Sequence, residues 1–252
     1  MKQWILLVLF LPHILFSEEK TLPLVLSVPK AGGHLVLKML SLFPEPPECV
    51  WADHIVSHDM EELSLEDAKV SKVIIIRDLR DVFVSLVYWF DAQVAEGLVN
   101  RHLAAKRKGL RERIQHWRSC SFDEKLQIVL EDGAESFYYE GFMRENIEQA
   151  CHLLKGEKTQ VMRFEDLIGV QGGGSQEAQE ECIRRFAEVF SQSLSEEEVK
   201  RVSDKTFGKT HASAFDRTFR KGQIGSWKEH YNEKNLLLFY MRYGRYQKLL
   251  GY

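Results

Sequence analysis

A three-layer α/β/α architecture around a central parallel sheet is the fold class this 252-residue sequence predicts. Three observations lead there. Residues 22–28 and 70–76 are short apolar runs without polar alternation, as expected of strands buried on both faces. Each run is followed by a short turn and then by apolar residues at helical spacing, so strand–turn–helix occurs twice. The first turn is Lys30-Ala31-Gly32-Gly33, which builds a nest of backbone N–H groups at a helix N-terminus, where anions bind. In such a sheet, ligands gather beyond the carboxyl ends of the strands.

Taken in order, the chain opens with an apolar stretch. Residues 4–16 follow one lysine and are broken by Pro12-His13, and Glu18, Glu19 and Lys20 come next. The run is shorter than the roughly 20 apolar residues a bilayer span needs. Residues 1–17 therefore read as a signal peptide or short membrane anchor, or as an apolar N-terminal element, ahead of one domain over residues 22–252. The expected location is exported or membrane-associated through residues 4–16, with a cytoplasmic protein as the alternative. The first strand ends at Pro29, which cannot donate to a ladder. Leu35, Val36, Met39 and Leu40 give the first helix its apolar face. Three prolines follow in residues 43–47, and residues 50–58 hold a short strand. Residues 70–76 are the strongest strand signal, rich in β-branched residues. A helix follows over residues 81–95.

Residues 101–118 carry seven cations against Glu112 and read as a helix with a solvated basic face. Ser121 and Glu124 form a capping-box pattern that opens another helix. Residues 140–154 are helical, and residues 159–164 form a strand. Three consecutive glycines make residues 171–175 a flexible loop. Helices follow over residues 177–190 and from Ser195 to about residue 203. Residues 207–219 are a loop, and Asn232 caps a last helix. The net charge of −3 excludes a generally basic nucleic-acid binder, so anion binding must be local. Cys49, Cys120, Cys151 and Cys182 are widely spaced, with no zinc-type cluster, so free thiols and no metal are expected.

Chemistry concentrates in three places. Lys30 brings a mobile cation to the first nest. Arg77 stands where the second strand stops, Arg80 and Asp81 are expected to form a local ion pair, and Ser85 lies on the next helix; an arginine at a strand end can grip two phosphate oxygens at once. Residues 219–228 place Arg220 and Lys221 before Gly222 and Gly225, so backbone N–H groups and two cations can meet an anion.

These pieces, in this order, resemble the sulfotransferases that use 3′-phosphoadenosine 5′-phosphosulfate (PAPS). Residues 27–34 (SVPKAGGH) resemble their 5′-phosphosulfate loop. Residues 77–85 (RDLRDVFVS) resemble their 3′-phosphate site, and residues 220–228 their C-terminal R-K-G-x-x-G-x-W-K loop. Arg163-Phe164-Glu165-Asp166-Leu167 also resembles a segment after a central strand of that family. The resemblance covers residues 22–252.

It implies a P-loop NTPase-like fold, PAPS as co-substrate without a metal, and transfer of a sulfuryl group to an acceptor hydroxyl or amine. It implies that Lys30 stabilises charge on the leaving phosphate, and that Gly32, Gly33 and His34 hold the 5′-phosphate. It assigns the 3′-phosphate to Arg77, Ser85, Arg220, Lys221 and Gly222, and an adenine contact to Phe164, with Trp227 shaping the same pocket. The family's general base corresponds best to His58, with His54 as rival, and His34 is also placed to approach the acceptor. A small-molecule, lipid or saccharide acceptor is expected, and no nucleic acid. Gly33 and His34 stand where the family has hydroxyl residues and Leu35 where it has an aromatic, so phosphate binding leans on backbone N–H groups. A P-loop kinase would need G-x-x-x-x-G-K-[ST]; here the lysine precedes the glycines. A non-catalytic nucleotide-binding protein is the other alternative.

Overall fold

The computed structural model describes residues 22–52, 70–96, 109–131, 142–156, 158–208 and 221–252. Four strands form one all-parallel sheet: β1 (Leu24–Ser27), β2 (Val50–Ala52), β3 (Lys72–Ile76) and β4 (Thr159–Arg163). Their order is β2-β1-β3-β4. Every residue of β1 and β3 is buried. That is the reason residues 24–26 and 73–76 are apolar without alternation: each face of the sheet is covered.

The chain leaves β1 toward β2 on one side and β3 toward β4 on the other. Parallel crossovers are right-handed, so α1 (Gly33–Ser41), after β1, and α2 (Leu79–Ala95), after β3, cover opposite faces. The helices divide accordingly. On α1's side, α1 packs against α8 (Glu196–Thr206), and α8 against α7 (Gln176–Val189), which also meets the single turn α6 (Phe164–Leu167). On the other side, α2 packs against α4 (Phe122–Leu130), and α9 (Glu233–Leu249) against α2, α4 and α5 (Phe142–Leu153). The expected α/β/α layering is the observed one. β1 and β3 are neighbours with connections running in opposite directions, which opens a crevice at their carboxyl ends.

Local sequence accounts for most helix starts. The Ser121/Glu124 capping box is formed, and a second joins Ser195 and Glu198. Asn232 accepts from the Asn235 amide at 2.8 Å and starts α9. The helix at residues 101–118 is observed as α3 (Leu110–Ser119), and residues 101–108 lie outside the described residues, as do residues 1–21 with the expected leader. Among the described residues no helix is long and apolar enough to cross a membrane. Phe164 belongs to α6 rather than to β4.

The glycine-rich stretch expected to be flexible is a tight turn over Val170–Gly172, and Gly172 is buried. The Gly172 carbonyl accepts from the Ile224 amide at 3.0 Å. A Cβ at Gly172 would lie 2.4 Å from the Gly222 carbonyl oxygen, so glycine is needed there for close approach of two segments of the chain. All four cysteines are free, and burial pushes Cys182 up to about 12.

Phe83 sits at the centre of the α2–α9 contact, with ring centroids 4.6 Å from Tyr243 and 6.3 Å from Phe239. Truncation would leave a cavity between two helices that frame the site. Phe83→Ala is expected to lower the unfolding free energy by about 3–5 kcal/mol, measured by urea denaturation.

Candidate functional site

The first loop takes its shape from two residues with positive φ. Lys30 has φ 66° and Gly32 φ 108°, and Gly32 is the N-cap of α1. A non-glycine residue in the left-handed region is strained, and such strain gathers at functional sites. No side chain caps α1, and its first turn holds no acidic residue. The helix end therefore presents its amides with the dipole's positive end.

Two aromatic rings wall this loop. A Cβ at Gly32 would lie 2.7 Å from Phe164 Cδ2, and a Cβ at Gly33 would lie 2.8 Å from Trp51 Cζ2. Gly32 needs its φ and its missing side chain, whereas Gly33 needs only the space. The missing hydroxyl at position 33 is thus matched by an indole from β2. Leu35 is buried and packs in the core.

Phe164 ties the first loop to the second. The Arg77 guanidinium lies over its ring at 4.0 Å from the centroid. Phe164 is 4% exposed. Its ring is held between Gly32 and Arg77, so it is a wedge between two loops as well as a wall of the crevice.

The C-terminal loop is drawn in by α2. Arg77 Nη2 donates to the Gln223 carbonyl at 2.9 Å. Asp81, 1% exposed, accepts from the Gly225 amide at 2.7 Å, the Trp227 amide at 2.8 Å and the Ser226 hydroxyl at 3.0 Å. It also stands 3.6 Å from Arg77 Nη2. An Arg80–Asp81 ion pair, the local expectation, is not what forms. Arg80 pairs instead with Asp78, through Nη2 at 2.7 Å and Nε at 3.0 Å, and its guanidinium covers the Trp227 ring at 3.9 Å. The reason is the helix start: Asp81 in the first turn of α2 meets the C-terminal loop, whereas Arg80 reaches back to the N-cap Asp78.

Asp81, Ser85 and Trp89 follow at intervals of four residues and form one ridge of α2, and Arg77, just before the N-cap Asp78, stands at the head of that ridge against Asp81. Ser85 is half-buried on that ridge. At the ridge's far end the Lys30 ammonium lies 5.4 Å from the centroid of the Trp89 ring. The ridge therefore runs from one loop to the other. Lys221, at the margin of the same region, pairs with Glu229 at 3.4 Å in an exposed position. Of the residues picked from sequence, Lys30, Gly32, Gly33, His34, Arg77, Ser85, Phe164, Lys221 and Gly222 are described. His58, its rival His54, and Arg220 lie outside the described residues.

Sequence reasoning missed the supporting shell. Glu165 accepts from the Asp78 amide at 3.1 Å and from the Tyr252 hydroxyl at 2.5 Å. Gln247 donates to Asp78 and accepts from the Leu79 amide. No local pattern points to partners 87 to 169 positions away. The i, i+4 spacing of Arg77 with Asp81 was the one legible signal. Burial raises the Glu165 carboxyl above the usual carboxylate range, against its hydrogen bonds to Tyr252 and Asp78.

Neither a family model nor a curated protein matches the chain. Solved structures do. The crystal structure of mouse sulfotransferase SULT7A1 complexed with PAP aligns over 92% of this chain and 90% of that one, with a TM-score of 0.60 and 13% identity. At that identity the likeness establishes the fold, and the parallel sheet with its flanking helices is the shared feature.

Two outcomes are expected. Asp81→Ala leaves buried donors and Arg77 without their common acceptor, and should cost about 3–5 kcal/mol. Hydrogen exchange at the Gly225 and Trp227 amides should accelerate before the sheet opens; unchanged protection there would remove Asp81 as the anchor. Glu165 has a raised folded pKa, so its proton stabilises the fold below the unfolded pKa of about 4.3. That contribution fades as pH rises through the folded pKa. Glu165→Gln, which does not titrate, should gain stability relative to wild type as pH is raised from acid to neutral, read from paired urea titrations.

Proposed function

We propose that this chain is a PAPS-dependent sulfotransferase that transfers a sulfuryl group to a hydroxyl or amine of a small-molecule, lipid or saccharide acceptor. One observation supports this most: the Lys30 loop, the Arg77–Ser85 ridge and the loop at residues 222–227 converge at the carboxyl ends of β1 and β3. Lys30 at one end of the ridge and Arg77 at the other suit a ligand with phosphates at both ends. The solved neighbour was crystallised with PAP, the nucleotide left when PAPS gives up its sulfuryl group.

In this reading the amides of Gly32, Gly33 and His34 hold the 5′-phosphate. Arg77 and Ser85 hold the 3′-phosphate, with Arg220, Lys221 and Gly222 closing over it. An acceptor oxygen attacks sulfur in line, and the sulfur–oxygen bond to the phosphate breaks. Its electron pair stays on the phosphate oxygen, where Lys30 stabilises the developing charge. Trp89 beneath the Lys30 ammonium restrains its position, and positioning matters because transfer of this kind needs little covalent help from the protein. His58, by resemblance, takes the acceptor's proton.

Transfer of labelled sulfate from PAPS to a panel of lipids, phenols and saccharides tests the reading. Lys30→Ala should lower turnover about a hundred- to thousandfold with its circular dichroism unchanged; normal turnover by the folded variant ends this mechanism. Arg77→Ala should weaken PAP binding about ten- to a hundredfold, measured by calorimetry. PAP binding by the wild type with no transfer to any acceptor would favour a non-catalytic nucleotide-binding protein.

A further inference from the structure

Among the described residues six large apolar side chains are exposed, and four of them lie on α9: Leu237, Tyr240, Met241 and Leu249. Met241 is 76% exposed, Leu237 63% and Tyr240 50%. The inner face of α9 is satisfied by Phe239, Tyr243 and Tyr246, which are buried. The outer ridge is therefore not the overflow of an over-apolar helix. With 3.6 residues per turn, Lys234, Leu237, Met241, Arg245 and Lys248 share that ridge, and Tyr240 borders it.

All but one of the charges on α9 are positive. Lys234, Arg242, Arg245 and Lys248 stand against Glu233 alone, in a chain whose net charge is −3. Lys234 donates to Gln127 at 2.8 Å, and Arg245 meets Glu148 on α5 at 3.4 Å. Both contacts are exposed, and exposed pairs of this kind are weak. An apolar centre with cations at both ends is the pattern of a helix that lies on a charged lipid surface.

We propose that the outer face of α9 docks on an anionic bilayer surface, with Leu237, Tyr240 and Met241 entering the headgroup layer and Lys234, Arg245 and Lys248 meeting lipid phosphates. Charge complementarity selects this occupant. A second copy of the chain would meet the ridge through a two-fold contact, which sets like cations near one another. A nucleic acid would satisfy the cations but not the exposed apolar centre. The Tyr240 hydroxyl accepts from Arg80 Nη1 at 3.3 Å, and Arg80 covers Trp227. The docked face thus lies next to the loop at residues 222–227, and the crevice opens close to the lipid surface.

Co-sedimentation of the full chain with vesicles tests this. Retention is expected on phosphatidylcholine–phosphatidylserine vesicles, with little on phosphatidylcholine alone and with loss at high salt. The triple variant Lys234→Gln, Arg245→Gln, Lys248→Gln and the double variant Leu237→Gln, Met241→Gln should each reduce retention about tenfold. Their helical content by circular dichroism and their PAP affinity should be unchanged. Wild-type protein that does not bind, or variants that bind as tightly as wild type, overturn the proposal; the second result assigns binding to the apolar residues 4–16. A wild-type dimer in light scattering that both variants dissolve, without vesicle binding, overturns it in favour of a second copy. Sulfuryl transfer is not needed for any of these readouts.

Discussion

The carboxylate of Asp81 is the point on which the candidate site depends. It is buried on the first turn of α2 and accepts from two amides and a hydroxyl of the loop after Gly222, while facing Arg77. A buried carboxylate is tolerated only when donors replace the water it loses. Here the donors come from a segment 144 to 146 positions away, so burying one charge closes a long-range connection in the site. The same interaction fixes Arg77: with Asp81 on one side, the Phe164 ring on another and the Gln223 carbonyl beyond, the guanidinium has few other orientations. A cation held before its ligand arrives loses little freedom on binding, which is how such sites gain affinity.

Glycine works in two ways around this centre. Gly32 supplies a left-handed cap for α1, which turns the helix amides toward the crevice. Gly33, Gly172 and again Gly32 supply absence: each lies where a Cβ would strike Trp51, the Gly222 carbonyl or Phe164. The loops therefore come close together. Trp51 in the space beside Gly33 also gives a physical reason why that position carries no side chain.

Much of this was legible in local sequence. The continuous apolarity of residues 24–26 and 73–76 marks strands buried on both faces, and sheet burial is a property of each strand's own composition. Ser121 with Glu124 and Ser195 with Glu198 mark helix starts, since a cap needs partners only three residues apart. Lys30, Arg77 and Ser85 could be picked out because strand ends and helix starts locate them. Arg80 was misread because adjacent opposite charges suggest a pair, whereas the helix turns them apart. The glycines at residues 172–174 were read as flexible because composition reports freedom of the chain and says nothing of what packs against it.

The sequence by itself determined the layers, the two strand–turn–helix units and the cationic residues at their ends, because these follow from periodicity and from contacts within a few residues. Only the tertiary structure decided that Asp81 rather than Arg80 anchors the C-terminal loop, that Phe164 stands between Gly32 and Arg77, and that Glu165, Gln247 and Tyr252 brace Asp78 and Leu79. Those contacts join residues far apart in the chain. They exist because the sheet order β2-β1-β3-β4 brings the ends of β1 and β3 together, and no short-range pattern encodes which distant partner will lie there.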